Sequence, residues 1–258
     1  MFSLNYKCNN ESLKHHFKEL HFITPIENVA SILEKGILCH KLAETIKHED
    51  ISNPSVQKNR SYKYIPNNSR EKYNKKQLIL HEYVNLYFNA HNGMMLALKL
   101  KKKQLCVLSI DIAVLRKPEA IVSNVNAALN IAQFQSAKKA CFSREVMRAL
   151  KNPFYAYRSQ SYSYRTIWKA ARQAEALVPK KVASKWIKAI YVPNEKVGEK
   201  LSKNLTKDIP IWVHETLFFQ KGPLGQLTEA KKDVSIQAQH TAIFGERRAS
   251  EAKPDFFE

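Results

Sequence analysis

The residues of this 258-residue chain that could do chemistry gather between positions 146 and 175. From Val146 to Ala174 there is no acid. The same window holds six basic side chains (Arg148, Lys151, Arg158, Arg165, Lys169, Arg172) and six aromatic ones (Phe154, Tyr155, Tyr157, Tyr162, Tyr164, Trp168). Cations neutralise phosphates, and ring faces stack on unpaired bases at about 1–3 kcal/mol per base, so the interleaving suits a single-stranded nucleic acid. On this reading Tyr155, Arg158, Tyr162, Tyr164, Arg165, Trp168 and Arg172 make the contacts. The string YRSQSYSYRTIW, without aliphatic period, is then an exposed loop. The competing reading buries the rings in a core and leaves the basic groups on its solvated rim. Glu175 closes the window in RQAEALV, between Arg172 and the pair Lys180 and Lys181. Nearby positive charge keeps a carboxylate ionised, fit to serve as a general base or to stabilise a cation. The alternative for Glu175 is an ordinary helix-surface ion pair.

Composition narrows the setting. Lys and Arg number 42 against 23 Asp and Glu, a formal +19, while 44% of residues are apolar. That is enough for a core, so the charge belongs to a folded domain rather than a disordered tail. Such a field calls for an anionic partner: nucleic acid first, then an acidic protein or a membrane surface, with a merely solvated Lys-rich surface as the plain alternative. The six glycines fit neither GxGxxG nor GxxxxGK[ST], which excludes a Rossmann fingerprint and a P-loop. No apolar run approaches the roughly 18–20 residues of a membrane span, and the N-terminus lacks a signal-peptide block. A cytoplasmic protein without membrane contact is expected. Cys8, Cys39, Cys106 and Cys141 form no CxxC pair, which argues for structural thiols and against a zinc ribbon, a redox motif or a disulfide framework. No clustered acidic triad supports a metal-dependent nuclease, and no metal is expected.

These residues need a scaffold. Residues 11–19 predict a short helix and 20–24 a strand. Pro25 opens a helix with Ile26, Val29, Ile32 and Leu33 on one face, and Gly36 stops it. Residues 52–80 lack an apolar period and predict a long loop with seven basic residues, one acid and three tyrosines, Tyr62, Tyr64 and Tyr73. Strands are predicted at 83–89, 94–100, 104–111 and 120–123, and helical patterning at 126–150. Further strands at 186–192 and 209–213 flank a helix starting at 195. Few βαβ units occur, so the class is α+β. One domain is expected over residues 1–222, followed by a polar tail at 223–258 that is either a docking segment or disordered.

Three blocks in order resemble the DarT family of DNA ADP-ribosyltransferase toxins. His21-Phe22-Ile23-Thr24, then Ile26-Glu27-Asn28-Val29 and the helix to Gly36, is similar to the family's opening "HIT" strand and "NL…IL…G". His81-Glu82-Tyr83-Val84-Asn85-Leu86-Tyr87-Phe88-Asn89, followed by Met94-Met95-Leu96, resembles "HDYV…YF". Arg172-Gln173-Ala174-Glu175-Ala176-Leu177-Val178 resembles the "RQAE-LV" block that bears the family's catalytic glutamate. The match runs from about residue 20 to 219. It implies an ADP-ribosyltransferase-like split β-sandwich with peripheral helices, and NAD+ as co-substrate. It gives Glu175 the task of steadying the oxocarbenium-like sugar and accepting a proton from the attacking base nitrogen. Arg60 resembles the catalytic arginine and would meet the pyrophosphate. His21 would bind the nucleotide with Thr24 and Asn28, Tyr87 would line the nicotinamide pocket, and residues 155–168 would present the target base. Each of these also has a structural reading: His21 and Asn28 as polar scaffold positions, Arg60 as one of seven loop cations, Tyr87 as core. One departure stands out. Where the family carries an arginine and a proline before the methionines, this chain has Ala90-His91-Asn92-Gly93. His91, a titratable cation, is placed in the cofactor site. Either the phosphate contact is supplied elsewhere, or the acceptor specificity has shifted.

The resulting expectation is a toxin-type mono-ADP-ribosyltransferase acting on an exposed base of single-stranded DNA, with RNA as the runner-up acceptor. It would belong to a toxin–antitoxin or phage-defence system and be neutralised by a cognate antitoxin. The alternative is a non-catalytic basic–aromatic nucleic-acid-binding module.

Overall fold

A computed structural model describes residues 13–66, 78–99, 104–151 and 162–218. The sheet is organised by its most apolar strand, β4 (Leu105–Asp111), in which residues 105–110 are all buried. A strand covered on both faces must lie inside the sheet. It pairs antiparallel with β1 (Glu19–Pro25) along its whole length, from Glu19↔Asp111 to Pro25↔Leu105. On its other side lies β9 (Ile187–Val192), and α8 (Glu195–Ser202) crosses over to β10 (Ile211–Val213), which runs parallel to β9. The second half of the sheet contains β3 (Tyr83–Tyr87), β7 (Glu175–Pro179), β5 (Ile121–Ser123) and β6 (Phe134–Ser136), all antiparallel. The complete order is β10-β9-β4-β1-β3-β7-β5-β6, and a separate ribbon pairs β2 (Ile37–Leu38) with β8 (Lys181–Val182). The two halves are joined through one pair, His21↔Tyr87. That narrow seam is the split in the α+β sandwich.

Cross-strand partners share a face, and the register therefore aligns chemistry. Ser109 pairs with His21, His21 with Tyr87, Tyr87 with Glu175, and Glu175 with Ser123. Two small apolar clusters flank this polar row on the same face. One contains Ile23, Val107, Tyr191 and Met95, the other Leu177, Ile121, Tyr83 and Leu80. The main core lies on the opposite face, where Leu20, Leu86, Leu108 and Ala176 pack with Val29 and Leu33 of α2 (Val29–Lys35). A one-residue slip of any of these strands would exchange the two faces.

Several helices stand where other structure is predicted, and side-chain caps account for most of them. Within the loop expected at 52–80, of which 67–77 lie outside the described residues, α4 (Pro54–Tyr62) begins at Asn53, whose side chain accepts from the Ser55 and Val56 amides, with Pro54 in the first turn. Residues 94–100 are not a strand. The Asn92 side chain accepts from Met94 and Met95 N–H and starts α5 (Gly93–Lys99). Pro25 ends β1, and a 3₁₀ turn at Ile26–Asn28 intervenes before α2. The 126–150 stretch resolves into a turn, β6 and α6 (Arg144–Lys151), the last capped by Ser143. The expected exposed loop is helical from Tyr162, as α7 (Tyr162–Ala171). Short helices α1 (Leu13–His16) and α3 (His40–Ala43) complete the inventory. Cys39 and Cys106 are free, buried thiols, whereas Cys141 is disulfide-bonded, against the expectation of none. Among the described residues no helix is long and apolar enough to cross a membrane. The 223–258 tail lies outside the described residues.

Gly36 ends α2 at φ 84° and ψ 172°, a region open essentially to glycine. A Cβ there would also meet the Val182 carbonyl oxygen at 2.5 Å. Gly36→Ala is expected to cost about 1–3 kcal/mol or more, read as a lowered midpoint in chemical denaturation.

Candidate active site

Glu175, at the start of β7, has no solvent exposure. Its carboxylate is met by Arg60, whose Nη1 lies 3.0 Å from one oxygen and 3.4 Å from the other. Arg60 reaches it because it is the one buried side chain of an otherwise polar α4. Both ends of that excursion are tied down. Before the helix, the Asn28 side chain holds the Glu49 backbone at N–H and C=O, 2.8 and 2.9 Å. After it, the Leu80 amide donates to the Lys63 carbonyl, and Tyr64 bridges to Ile79. Burial pushes the Glu175 carboxyl up, and the Arg60 guanidinium, the Ala127 N–H and the Lys63 ammonium oppose that rise. A buried carboxylate with one strong counter-ion is a base poised to take a proton, and loss of its partner costs about 3–5 kcal/mol.

Across the seam, His21 Nε2 stands 3.2 Å from Glu19 Oε1. The other Glu19 oxygen accepts from the Ser109 hydroxyl and from the Tyr191 hydroxyl, the latter at 3.0 Å. Burial works against the Glu19 charge, but His21, Ser109 and Tyr191 together hold its carboxyl down at about 2. An ionised carboxylate only accepts, so His21 Nε2 donates to Glu19, while its buried Nδ1 has no hydrogen-bond partner among the described residues. Tyr87, between His21 and Glu175, receives an Asn85 N–H at 3.3 Å and points its hydroxyl at the Met94 sulfur, 3.2 Å away. Burial and the Glu175 charge raise its phenol and keep it neutral.

Other predicted site residues are placed differently. Thr24 is three positions from His21, so strand alternation turns it to the other face, where its hydroxyl accepts from Asn28 at 3.4 Å. Asn28 is engaged by Thr24 and Glu49 and holds the approach to α4. His91 is not a cation: burial and the Arg172 charge lower it to about 4. Its Nδ1 and its carbonyl both accept from Arg172 Nη2. Arg172 is itself 6% exposed and Trp168 5%, so these two are buried rather than presented to solvent. Tyr162, Tyr164 and Arg165 lie on α7, and nothing further of their side chains is described. Tyr155 and Arg158 lie outside the described residues. Sequence reasoning missed Glu19, although it stands two residues before His21 and therefore on its face. It also missed Ser109, the lone hydroxyl in LCVLSIDI. The Ala127 amide left no signal in the side-chain pattern.

With this geometry in view, comparison with known proteins is decisive. The family model described as "ssDNA thymidine ADP-ribosyltransferase, DarT" matches residues 21–219, most of the chain. The chain belongs to the DarT family. A DNA ADP-ribosyl transferase–DNA ADP-ribosyl glycohydrolase fusion protein of Thermosipho africanus is 31% identical over 209 residues, 79% of this chain and 50% of that protein. The chain therefore spans about half the length of that curated relative. The T. africanus DarTG structure in complex with ADP-ribose superposes with a TM-score of 0.64 at 26% identity, over 83% of this chain and 54% of that one. DarT from Thermus sp. 2.9 in complex with ADP-ribosylated ssDNA gives 0.60 at 20% identity, over 78% and 96%. The same Thermus protein in complex with NAD+ gives 0.57, also at 20% identity over 78% of this chain and 98% of that one; these Thermus likenesses are of fold.

Two pH effects follow for this DarT-family chain. The Glu19 network stabilises the fold above the ordinary carboxyl value of 4.5 and loses that contribution as pH falls toward 2. Glu19→Gln is expected to lower the thermal midpoint at neutral pH and flatten the acid limb of the stability curve. His91, depressed from 6.5 to about 4, binds protons more readily unfolded, so stability falls as pH drops through that window. His91→Gln should reduce that slope in denaturation series run across the same range.

Proposed function

We propose that this chain transfers ADP-ribose from NAD+ to a base of single-stranded DNA, thymidine being the acceptor that the family's description carries. The observation that carries the reading is the row His21, Tyr87, Glu175 along one sheet face, with Arg60 3.0 Å from the carboxylate. NAD+, when bound, supplies a ribosyl carbon that becomes positive as nicotinamide departs. Glu175 offers the negative charge that steadies it and receives the proton of the attacking base nitrogen. The residues fit such a ligand on two counts: among the described residues Arg60 Nη2 and His21 Nδ1 are both buried without hydrogen-bond partners. Arg60 Nη2 is a donor suited to an anionic oxygen, and His21 Nδ1 suits a ribose hydroxyl, which can both donate and accept. Tyr87 contributes a neutral ring between them, and Glu19 keeps His21 oriented. Arg172, rather than His91, is the strong cation beside the 90–93 turn, which it braces through the His91 carbonyl.

The reading extends to partners. The T. africanus relative joins its transferase to a DNA ADP-ribosyl glycohydrolase, which supports a toxin role here, with a neutralising protein that removes the modification. A toxin–antitoxin or phage-defence setting in the cytoplasm is consistent with a DNA target and a +19 chain. We place the catalytic domain within residues 1–222 and assign the 223–258 tail no part in the chemistry.

The test uses labelled NAD+ with single-stranded DNA containing thymidine, DNA lacking it, and RNA of matched sequence. Label is expected in the thymidine-containing DNA alone; label in RNA alone would replace the acceptor, and label in none would overturn the transferase. Glu175→Gln is expected to lose at least about a hundredfold in rate while still binding oligonucleotide. An unchanged rate would leave the non-catalytic binding module. Arg60→Lys, which keeps charge but not the planar fork, should also lose most activity.

A further inference from the structure

The transfer centre leaves unused a group of large exposed side chains where α4 ends. Tyr62 is 63% exposed and Tyr64 52%; on the turn opposite, Leu129 is 40% and Ile131 63% exposed. Contiguous exposed apolar surface marks an interaction site more often than isolated residues do. Lys63, between the tyrosines, ties their segment to that turn: its ammonium donates to the Leu129 carbonyl and stands 5.6 Å from the centroid of the Phe134 ring. Both rings are supported. The Tyr62 hydroxyl donates to Asn59 Oδ1 at 3.0 Å, one turn back on the helix. Tyr64 is fixed through its backbone bridge to Ile79. The patch also shares its supports with the transfer centre. Arg60 lies two residues before Tyr62, and the turn that carries Leu129 supplies the Ala127 N–H to Glu175.

We propose that Tyr62 and Tyr64, with Lys63 between them and Leu129 and Ile131 alongside, form a stacking platform for the nucleotides next to the acceptor base in a single strand. This deepens the proposed function and rests on it. Charge selects a polyanion over a protein surface: beside the buried Arg60, residues 51–66 hold Lys58 and Lys63 and no acid, within a chain of net +19. Ring geometry selects a single strand, whose unpaired bases offer faces that a duplex hides, and the stacking is tolerant of sequence because every base has such a face.

The experiment compares the full chain with its Tyr62→Ala/Tyr64→Ala double variant on a long single-stranded DNA and on a trinucleotide carrying the same acceptor. Both residues are exposed, and circular dichroism verifies that the variant folds. The KM for the long strand is expected to rise about tenfold, the effect of losing roughly one stacked base, with kcat and the KM for NAD+ unchanged. The trinucleotide, too short to reach the platform, should be unaffected. Tyr62→Phe/Tyr64→Phe should keep wild-type values, since the rings stack without their hydroxyls. An unchanged KM for the long strand, or an equal loss with the trinucleotide, overturns the proposal. If the wild type transfers nothing, the functional reading fails separately. Fluorescence anisotropy of the labelled long strand then decides: weaker binding by the double variant supports the platform, and equal binding overturns it. Lost binding to a glycohydrolase-type protein with strand binding retained would reassign the patch to protein docking and also overturn it.

Discussion

A carboxylate without solvent contact is stable only beside a compensating charge, and in this fold that charge comes from far along the chain. Arg60 and Glu175 are 115 residues apart, yet meet at 3.0 Å. Most of the local architecture serves that meeting. Asn53 and Pro54 start the helix that carries Arg60, Asn28 restrains the chain before it, and the Tyr64↔Ile79 bridge returns the excursion to β3. Replacing the pair with apolar residues would satisfy the core equally well, so its retention in a buried place speaks for chemistry rather than stability. The Arg60 nitrogen left without a partner points the same way.

The second constraint is the seam. Among the described residues the β1–β3 ladder has the single pair His21↔Tyr87, so the two half-sheets can diverge on either side of it. The polar row crosses at that point, between two apolar clusters that dry its flanks. Low polarity around a charge strengthens each nearby interaction and shifts titration, as Glu175 upward and His91 downward show. The Glu19 carboxylate, supplied with three donors, is the counterexample on the same face: buried, yet held ionised.

Strands β1, β3, β4, β5, β9 and β10 were legible from their aromatic and β-branched content, whereas β7, which carries Glu175, was not, nor were the short β2, β6 and β8. Composition alone left Glu175 as an ordinary helix-surface ion pair; the DarT resemblance singled it out, and named the family that the comparisons then showed. Helices α4 and α5 were not legible. They are short, one is polar nearly all round, and their signal lies in the caps Asn53 and Asn92 rather than in any apolar period. The basic–aromatic window was read as an exposed loop, with burial of its rings as the alternative, whereas Trp168 and Arg172 are buried: Trp168 on α7 packs into the core, and Arg172, just past that helix, donates to the His91 carbonyl. His91 was read as a cation because composition carries no information on desolvation. Its burial, and then the Arg172 charge beside it, keep it neutral.

The central claim is that the ribose to be transferred lies against Glu175 at the seam between the half-sheets. A crystal structure of this chain with a non-cleavable carba analogue of NAD+ tests it most directly. The account predicts the nicotinamide-side ribose in contact with the Glu175 carboxylate, with Arg60 Nη2 and His21 Nδ1 gaining the partners they lack. An analogue bound away from the His21–Tyr87–Glu175 row, with those two nitrogens still alone, would contradict it.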